Sequence, residues 1–315
     1  MTDRTIVVVS AFRPDDGLRR NLVQLMDAYS VIVIDDGSGS EYDDVFERLA
    51  GRNTVVHRLD RNSGIARALN VGVRAALADA ADYVLMLDQD SAVEPALVDE
   101  LIAAHRRATT ADYTPGFAVP EYFAGVRQVF REQADGTLTT RHAIQSGMLV
   151  PRVTFERVGL LREDLFIDLV DTEFELRCSC AGMDGVAAPG TAMQHRLGTA
   201  YRRPGILGRL PFIPDELTLS TPFRYYYRVR NRIVVNARFG LRRPGWIIRD
   251  SILELLHFAN AASVARPRRA LLAVYRQAIA DGVRGRMGRI PDAAAKRAAT
   301  VRWAASELVP LHEAG

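Results

Sequence analysis

The sequence predicts an α/β protein: a mainly parallel sheet flanked by helices, with a helical C-terminal extension. Three observations predict it. Short β-branched or aliphatic runs recur at 5–9 (TIVVV), 31–35 (VIVID), 54–59 (TVVHRL) and 83–87 (YVLML). Helical patterns follow three of them. Polar, Asp-rich clusters stand at the strand ends. Strands alternating with helices build βαβ units, and such sheets bind ligands beyond the carboxyl ends of their strands.

The elements follow in order. Continuous apolar runs of this length read as buried strands. Leu18, Leu22, Leu25 and Met26 give residues 18–28 a helical spacing. Asp36-Gly37-Ser38-Gly39 stops the second strand, and an Ala-rich helix over 64–79 follows Asn62-Ser63-Gly64. Asp88-Gln89-Asp90 ends the fourth strand, and a helix runs from Pro95, a residue suited to a first turn, to Arg107. Asp135-Gly136 marks a hairpin, and Ala143–Val150 reads as a strand bent at Ser146-Gly147. The second half of 166–183 is helical, and Gly and Pro make 189–211 a mobile loop region. Residues 222–283 are helical, Arg-rich and aromatic, broken at Pro244-Gly245, and the tail after Pro291 is an Ala-rich helix. The change of character sets two domains, 1–220 and 221–315.

Composition excludes several classes. Apolar residues make up 48% and charged residues 25%, the balance of a folded chain rather than a disordered or fibrous one. A net charge of +3 is too even for a nucleic-acid binder. Cys178 and Cys180 are the only cysteines, two residues apart, a poor separation for a disulfide, so a reduced, cytoplasmic setting is expected. No secretory apolar region follows the first residues. The apolar stretch Ile252–Ala265 is interrupted by Glu254, His257 and Asn260 and falls short of the roughly 20 residues a spanning helix needs.

The motifs carry chemistry, each beside a plainer use. Asp88-x-Asp90 offers two hard oxygen ligands suited to Mg²⁺ or Mn²⁺, or forms a solvated turn. Asp35-Asp36-Gly37-Ser38 can accept from a base imide or a ribose hydroxyl, or serve as a turn. Asn62 and Gly64, with Arg67 beyond, form a helix entrance whose amides favour phosphate, or an Asn cap. Asp168, Asp171 and Glu173 stand where an apolar run turns helical; one of them can serve as a base, or all can answer the helix dipole. His195 stands before a Gly/Pro-rich stretch as a ligand or a structural residue. Arg224–Arg232 (RYYYRVRNR) can contact an anionic acceptor or membrane surface, or pack an aromatic face inward with its basic face exposed.

As an ordered set, VIVIDDGS, RNSGIARALNVG, LMLDQDS, FIDLVDTEFELR and QHRLG resemble the family 2 inverting glycosyltransferases with the GT-A fold. The Asp-Gln-Asp-Ser form, with RYYY-x-x-RN downstream, is most similar to the bacterial rhamnosyltransferase branch, over roughly 5–290. The resemblance implies a Rossmann-like GT-A sheet and a nucleotide-diphosphate sugar donor. It makes Asp171 the catalytic base, supported by Glu173, Asp168 and Arg177. It assigns Asp88, Asp90 and His195 to Mg²⁺ or Mn²⁺, and Ser10, Arg13, Asp35, Asp36, Asn62, Gly64, Arg67, Asp88, Gln89 and Ser146 to the donor. The pattern departs at Ala11-Phe12, where many relatives carry Tyr-Asn or a similar pair. The implied reaction moves L-rhamnose from dTDP-L-rhamnose, or galactofuranose from its UDP form, to a polyprenyl-diphosphate-linked glycan. The expected setting is peripheral, on the inner face of the plasma membrane, with the C-terminal helices as membrane, acceptor or homodimer contacts and no nucleic acid. A basic membrane-attached scaffold without catalysis is the alternative from another class.

Overall fold

The computed structural model describes residues 3–109, 114–195, 199–202 and 216–308. The chain divides into two compact units, Met1–His195 and Arg196–Gly315.

In the first unit, β1 (Thr5–Ala11), α1 (Gly17–Ala28), β2 (Ser30–Asp35), α2 (Asp43–Glu47), β3 (Thr54–Arg58), α3 (Ile65–Ala78), β4 (Tyr83–Asp88) and α4 (Pro95–Ala108) alternate as the sequence predicts, apart from the short α2. Then come β5 (Ala118–Phe123), β6 (Val126–Arg127), β7 (Val129–Glu132), β8 (Leu138–Thr140), β9 (Met148–Pro151), α5 (Arg152–Val158), α6 (Val170–Cys180) and β10 (Val186–Met193). The main sheet runs β3-β2-β1-β4-β9-β5-β10-β8-β7, with β6 on β5. The pairs β2–β3, β1–β2, β1–β4 and β5–β10 are parallel, and β9 lies antiparallel between β4 and β5.

Continuous apolar runs make the central strands because both sheet faces are covered. Val7, Val9, Val33, Leu85 and Leu87 pack one face against Leu18, Leu22, Leu25, Val98 and Leu101 of α1 and α4. The register sets the site. Ala11 lies opposite Asp35, and Ser10 opposite Asp88, so three neighbouring strands end together, about 4.8 Å apart. β1 has β2 on one side and β4 on the other, so the chain order reverses there, the place where open parallel sheets form a crevice.

Two expectations are corrected. Ala143–Val150 is not one strand: β9 begins at Met148, and the preceding residues form a loop whose Gly147 takes φ +85°. Part of the expected loop at 189–211 is strand, because β10 continues through Pro189-Gly190 by shifting register between Ala188 and Ala192. Residues 196–198 and 203–211 of that stretch lie outside the described residues. The hairpin at Asp135-Gly136 is present as β7 and β8.

The second unit holds β11 (Thr199–Arg202), β12 (Glu216–Leu219), α7 (Arg224–Phe239), α8 (Pro244–Val264), β13 (Ala265–Arg266), α9 (Arg268–Val283), α10 (Asp292–Ala299), β14 (Arg302–Trp303) and β15 (Ser306–Glu307). β11 pairs with both β12 and β15 in a three-stranded sheet of this unit. Leu217, Tyr225, Val264, Leu271 and Val301 form its core. The Arg224–Arg232 segment faces largely inward. Tyr225, Tyr226, Tyr227 and Arg230 are fully buried, and Arg228 and Arg232 are paired with acids of α8. The aromatic face packs inward as the plainer reading expects, but the basic face it expected to be exposed is not: Arg228, Arg230 and Arg232 are largely interior because α8 and the core supply their partners.

Candidate active site

The end of β4 carries Asp88, Gln89 and Asp90. The Asp88 N–H donates to Ser146 Oγ at 3.0 Å, and the Ser146 and Ser91 hydroxyls lie 2.7 Å apart, both buried. Gln89 is held from both sides: the Phe12 N–H donates to its Oε1 at 2.7 Å, and Asn21 Nδ2 to its carbonyl at 3.2 Å. The Asp90 side chain is exposed. His195, just after β10, brings Nδ1 to 3.7 Å from Asp90 Oδ1, and its ring lies 4.8 Å from that of Phe123. One ligand atom from each of Asp88, Asp90 and His195 lies within 4.8 Å of the others. The His195 Nδ1 is buried with no hydrogen-bond partner among the described residues. Two carboxylates and an imidazole this close, with a buried nitrogen unanswered, fit a hard divalent cation such as Mg²⁺ or Mn²⁺.

The loop after β2 lies one strand over. Asp35 is buried and engaged within the protein, accepting from the Ser38 N–H at 2.8 Å, from the Ser38 hydroxyl and from Arg58 Nε at 2.8 Å. Asp36 accepts from the Ser63 and Gly64 amides at 2.7 and 2.9 Å. Burial raises its pKa, those two amides lower it, and the Asp35 charge raises it again. Both carboxylates thus fix the loop, and Asp36 takes the helix-entrance amides that an incoming phosphate would need. Gly37, at φ +75°, allows this loop to touch the next: a Cβ there would sit 2.6 Å from the Asn62 nitrogen. Ser10 is buried in β1, and the Arg13 N–H donates to Ser38 Oγ at 2.7 Å. Arg67 is not aimed at a free diphosphate; its Nη1 donates to Glu163 Oε2 at 2.9 Å. Burial would raise Glu163, but hydrogen bonds from Asn70, Arg74 and Arg67 hold it below the usual range.

The third part is the approach to α6. Phe166, Asp168 and Leu169 all take positive φ, at 69°, 63° and 61°. Non-glycine residues in that region cost about 1–3 kcal/mol each and cluster at functional sites. Asp171 stands in the first turn of α6 and accepts from the Thr172 N–H at 2.7 Å. Glu173 is fully buried and accepts from Arg177 Nε at 2.8 Å. Arg177 also donates to the carbonyls of Val158 and Leu160, tying α6 to the chain after α5.

Sequence reasoning missed Glu175. It is buried and accepts from the His142 and Ala143 amides at 2.9 and 3.3 Å. Burial first, then the Asp171 charge, push its carboxyl up to about 8, against the pull of those two amides. The same loop continues to Ser146 on Asp88, and its Gly147 N–H donates to Met86 of β4 at 2.9 Å. On the other side, Gly64 packs on the Phe166 carbonyl, where a Cβ would come within 2.5 Å. The end of β4, the start of α3 and the start of α6 are therefore linked inside the first unit. Glu163 was missed as well; both are acids whose use depends on partners far along the chain.

Residues 6–148 match Glycosyl transferase family 2. The chain is 28% identical over 247 residues to the dTDP-rhamnosyl transferase RfbF of Shigella flexneri, covering 73% of this chain and 78% of that one. It is 26% identical over 266 residues to the galactofuranosyltransferase GlfT1 of Mycobacterium tuberculosis, covering 77% and 85%. Among solved structures, S. aureus TarS 1-349 in complex with UDP-GlcNAc superposes with a TM-score of 0.50 at 14% identity, over 90% of this chain and 92% of that one. That last likeness is one of fold.

Proposed function

The chain belongs to glycosyl transferase family 2, with the GT-A fold, and from that premise we propose that it transfers L-rhamnose from dTDP-L-rhamnose to a hydroxyl of a lipid-linked or cell-surface glycan, with inversion. The observation that carries the reading is the convergence of Asp88, Asp90 and His195 at the crevice where the strand order reverses. Such a crevice takes the nucleotide of a nucleotide-sugar donor. Asp88, Asp90 and His195 would hold Mg²⁺ or Mn²⁺, which when bound supplies positive charge against a diphosphate leaving group.

The remaining roles belong to the chain's own residues. Ser10, Arg13 and Gln89 line the strand ends where the nucleotide would lie, with Ser146 holding the backbone of Asp88 in place. Asp35, Asp36, Asn62, Gly64 and Arg67 shape the wall on the β2 side. Asp171 acts as the base. As the acceptor oxygen forms its bond to the anomeric carbon, its proton passes to Asp171, and the bond from that carbon to the diphosphate oxygen breaks on the opposite face. No covalent sugar–enzyme intermediate is needed, so the configuration inverts. A positioned base of this kind contributes about 10²–10⁴ in rate. Glu173 and Arg177 hold α6 so that its first turn presents Asp171, and Asp168 lies in the strained approach to it.

The acceptor is proposed to be a glycan on a polyprenyl diphosphate at the inner membrane face. The likeness to a galactofuranosyltransferase favours UDP-galactofuranose as the second donor to test. A thermal-shift screen of nucleotide sugars with Mn²⁺ separates them. dTDP-L-rhamnose is expected to raise Tm most, and a larger rise with UDP-galactofuranose would move the assignment to that donor. No shift with any nucleotide sugar would contradict the reading.

A further inference from the structure

Helix α8 buries Trp246, Ala261 and Val264, turns its carboxylates toward α7, and leaves a row of aliphatic side chains exposed. Asp250 pairs with Arg232 and Glu254 with Arg228, both on α7. His257 Nε2 accepts from Arg228 at 3.0 Å and lies 3.1 Å from the Tyr225 hydroxyl, and Asn236 Nδ2 donates to Ser251 Oγ at 2.9 Å. Glu254 and His257, which interrupt the apolar stretch in the sequence, are thus turned toward α7. Outward stand Ile248, Ile252, Leu253, Leu255 and Leu256, each more than half exposed, and Leu241 just before the helix is fully exposed. Residues 248, 252, 255 and 256 fall on one helical face. Neighbouring exposed aliphatics of this number mark a contact surface.

Charge selects the occupant. Asp250 and Glu254 keep only 14% and 15% of their side-chain exposure, which leaves Arg249 as the helix's exposed charge, with Arg242 exposed just ahead of it. A two-fold pairing with a second copy would set this arginine-bearing face on itself, with no exposed carboxylate of α8 to answer it. An anionic lipid surface answers both features: acyl chains take the aliphatic face, and lipid phosphates take the guanidinium groups. No helix among the described residues is long and apolar enough to cross a membrane. We infer that α8 lies in the plane of an anionic bilayer surface, with Ile248, Ile252, Leu255 and Leu256 inserted and Arg242 and Arg249 at the level of the lipid phosphates.

Vesicle binding needs neither donor nor acceptor, so failure of this inference and failure of the transferase reading are distinguishable. The test is co-sedimentation of the full chain with vesicles of phosphatidylcholine alone and of phosphatidylcholine mixed with phosphatidylglycerol. Binding to the mixed vesicles is expected, weakened at least about tenfold by Ile252→Asp with Leu256→Asp. Arg242→Glu with Arg249→Glu should erase the preference for the anionic vesicles. These side chains are exposed, so circular dichroism should be unchanged; if the double Asp variant unfolds, Leu255→Ser alone carries the same comparison. Absence of binding by the unsubstituted chain, or equal binding by the variants, overturns the inference. So does light scattering that finds a stable dimer broken by Ile252→Asp.

Discussion

His195 and Glu175 are the two residues whose surroundings say most about the chemistry. The buried Nδ1 of His195 faces Asp90 across 3.7 Å, a gap that a shared cation would close. Chelation with EDTA is therefore expected to stop transfer, and Mn²⁺ or Mg²⁺ to restore it. His195→Ala should need at least about tenfold more metal for half-maximal rate, the scale of losing one ligand-shell partner. Full activity in chelator would remove the cation from the account. Glu175 makes a prediction about pH. Its carboxyl is raised from the ordinary 4.5 to about 8, so the folded chain keeps a proton that the unfolded chain gives up. The stability linked to that proton is complete below about 4.5 and is lost as pH climbs through 8. Glu175→Gln, neutral throughout, should flatten the fall in Tm across that window. Parallel slopes for the variant and the unsubstituted chain would show that Glu175 is ionised in the folded state.

At the scale of elements, α6 is the part on which the rest leans. Arg177 joins buried Glu173 to the carbonyls after α5, so the helix cannot swing without leaving a buried carboxylate without its guanidinium. Arg177→Met is expected to cost about 3–5 kcal/mol, the usual penalty for removing one partner of a buried pair. A urea midpoint within error of the unsubstituted chain would show that the clasp is unimportant. The sequence made much of this level legible. Continuous aliphatic runs disclosed β1, β2 and β4, because strands buried on both faces have no alternation to hide. Pro95 marked the start of α4. β5 and β10 stayed hidden because their runs hold Pro120 and Pro189-Gly190, residues that ordinarily end strands and are accommodated here beside a register shift. The bend at Ser146-Gly147 was legible, and Gly147 takes φ +85°; what misread was the stretch before it, where Ala143 and Ile144 look like strand and form loop.

On the scale of the whole molecule, the chain divides into a sheet unit and a largely helical unit, and the two differ in how readable they were. Asp88, Asp90 and His195 were found from motif order, and the fold brings one ligand atom of each within 4.8 Å of the others. The fates of Asp35, Asp36 and Arg67 were not legible. Each is engaged by Arg58, Ser63, Gly64 or Glu163, partners that only tertiary structure supplies. In the helical unit, the arginines of 224–232 read as a surface and are largely interior, while the exposed aliphatic face of α8 was obscured by polar residues that turn toward α7. The proposed function puts a donor site at the end of β4 and a separate base at the start of α6, both in the first unit. Calorimetry and turnover on Asp171→Asn, with dTDP-L-rhamnose and Mn²⁺, test it most directly. Donor affinity within about twofold of the unsubstituted chain, with transfer reduced by about 10²–10⁴, is the predicted result. Undiminished turnover in that variant would contradict the account.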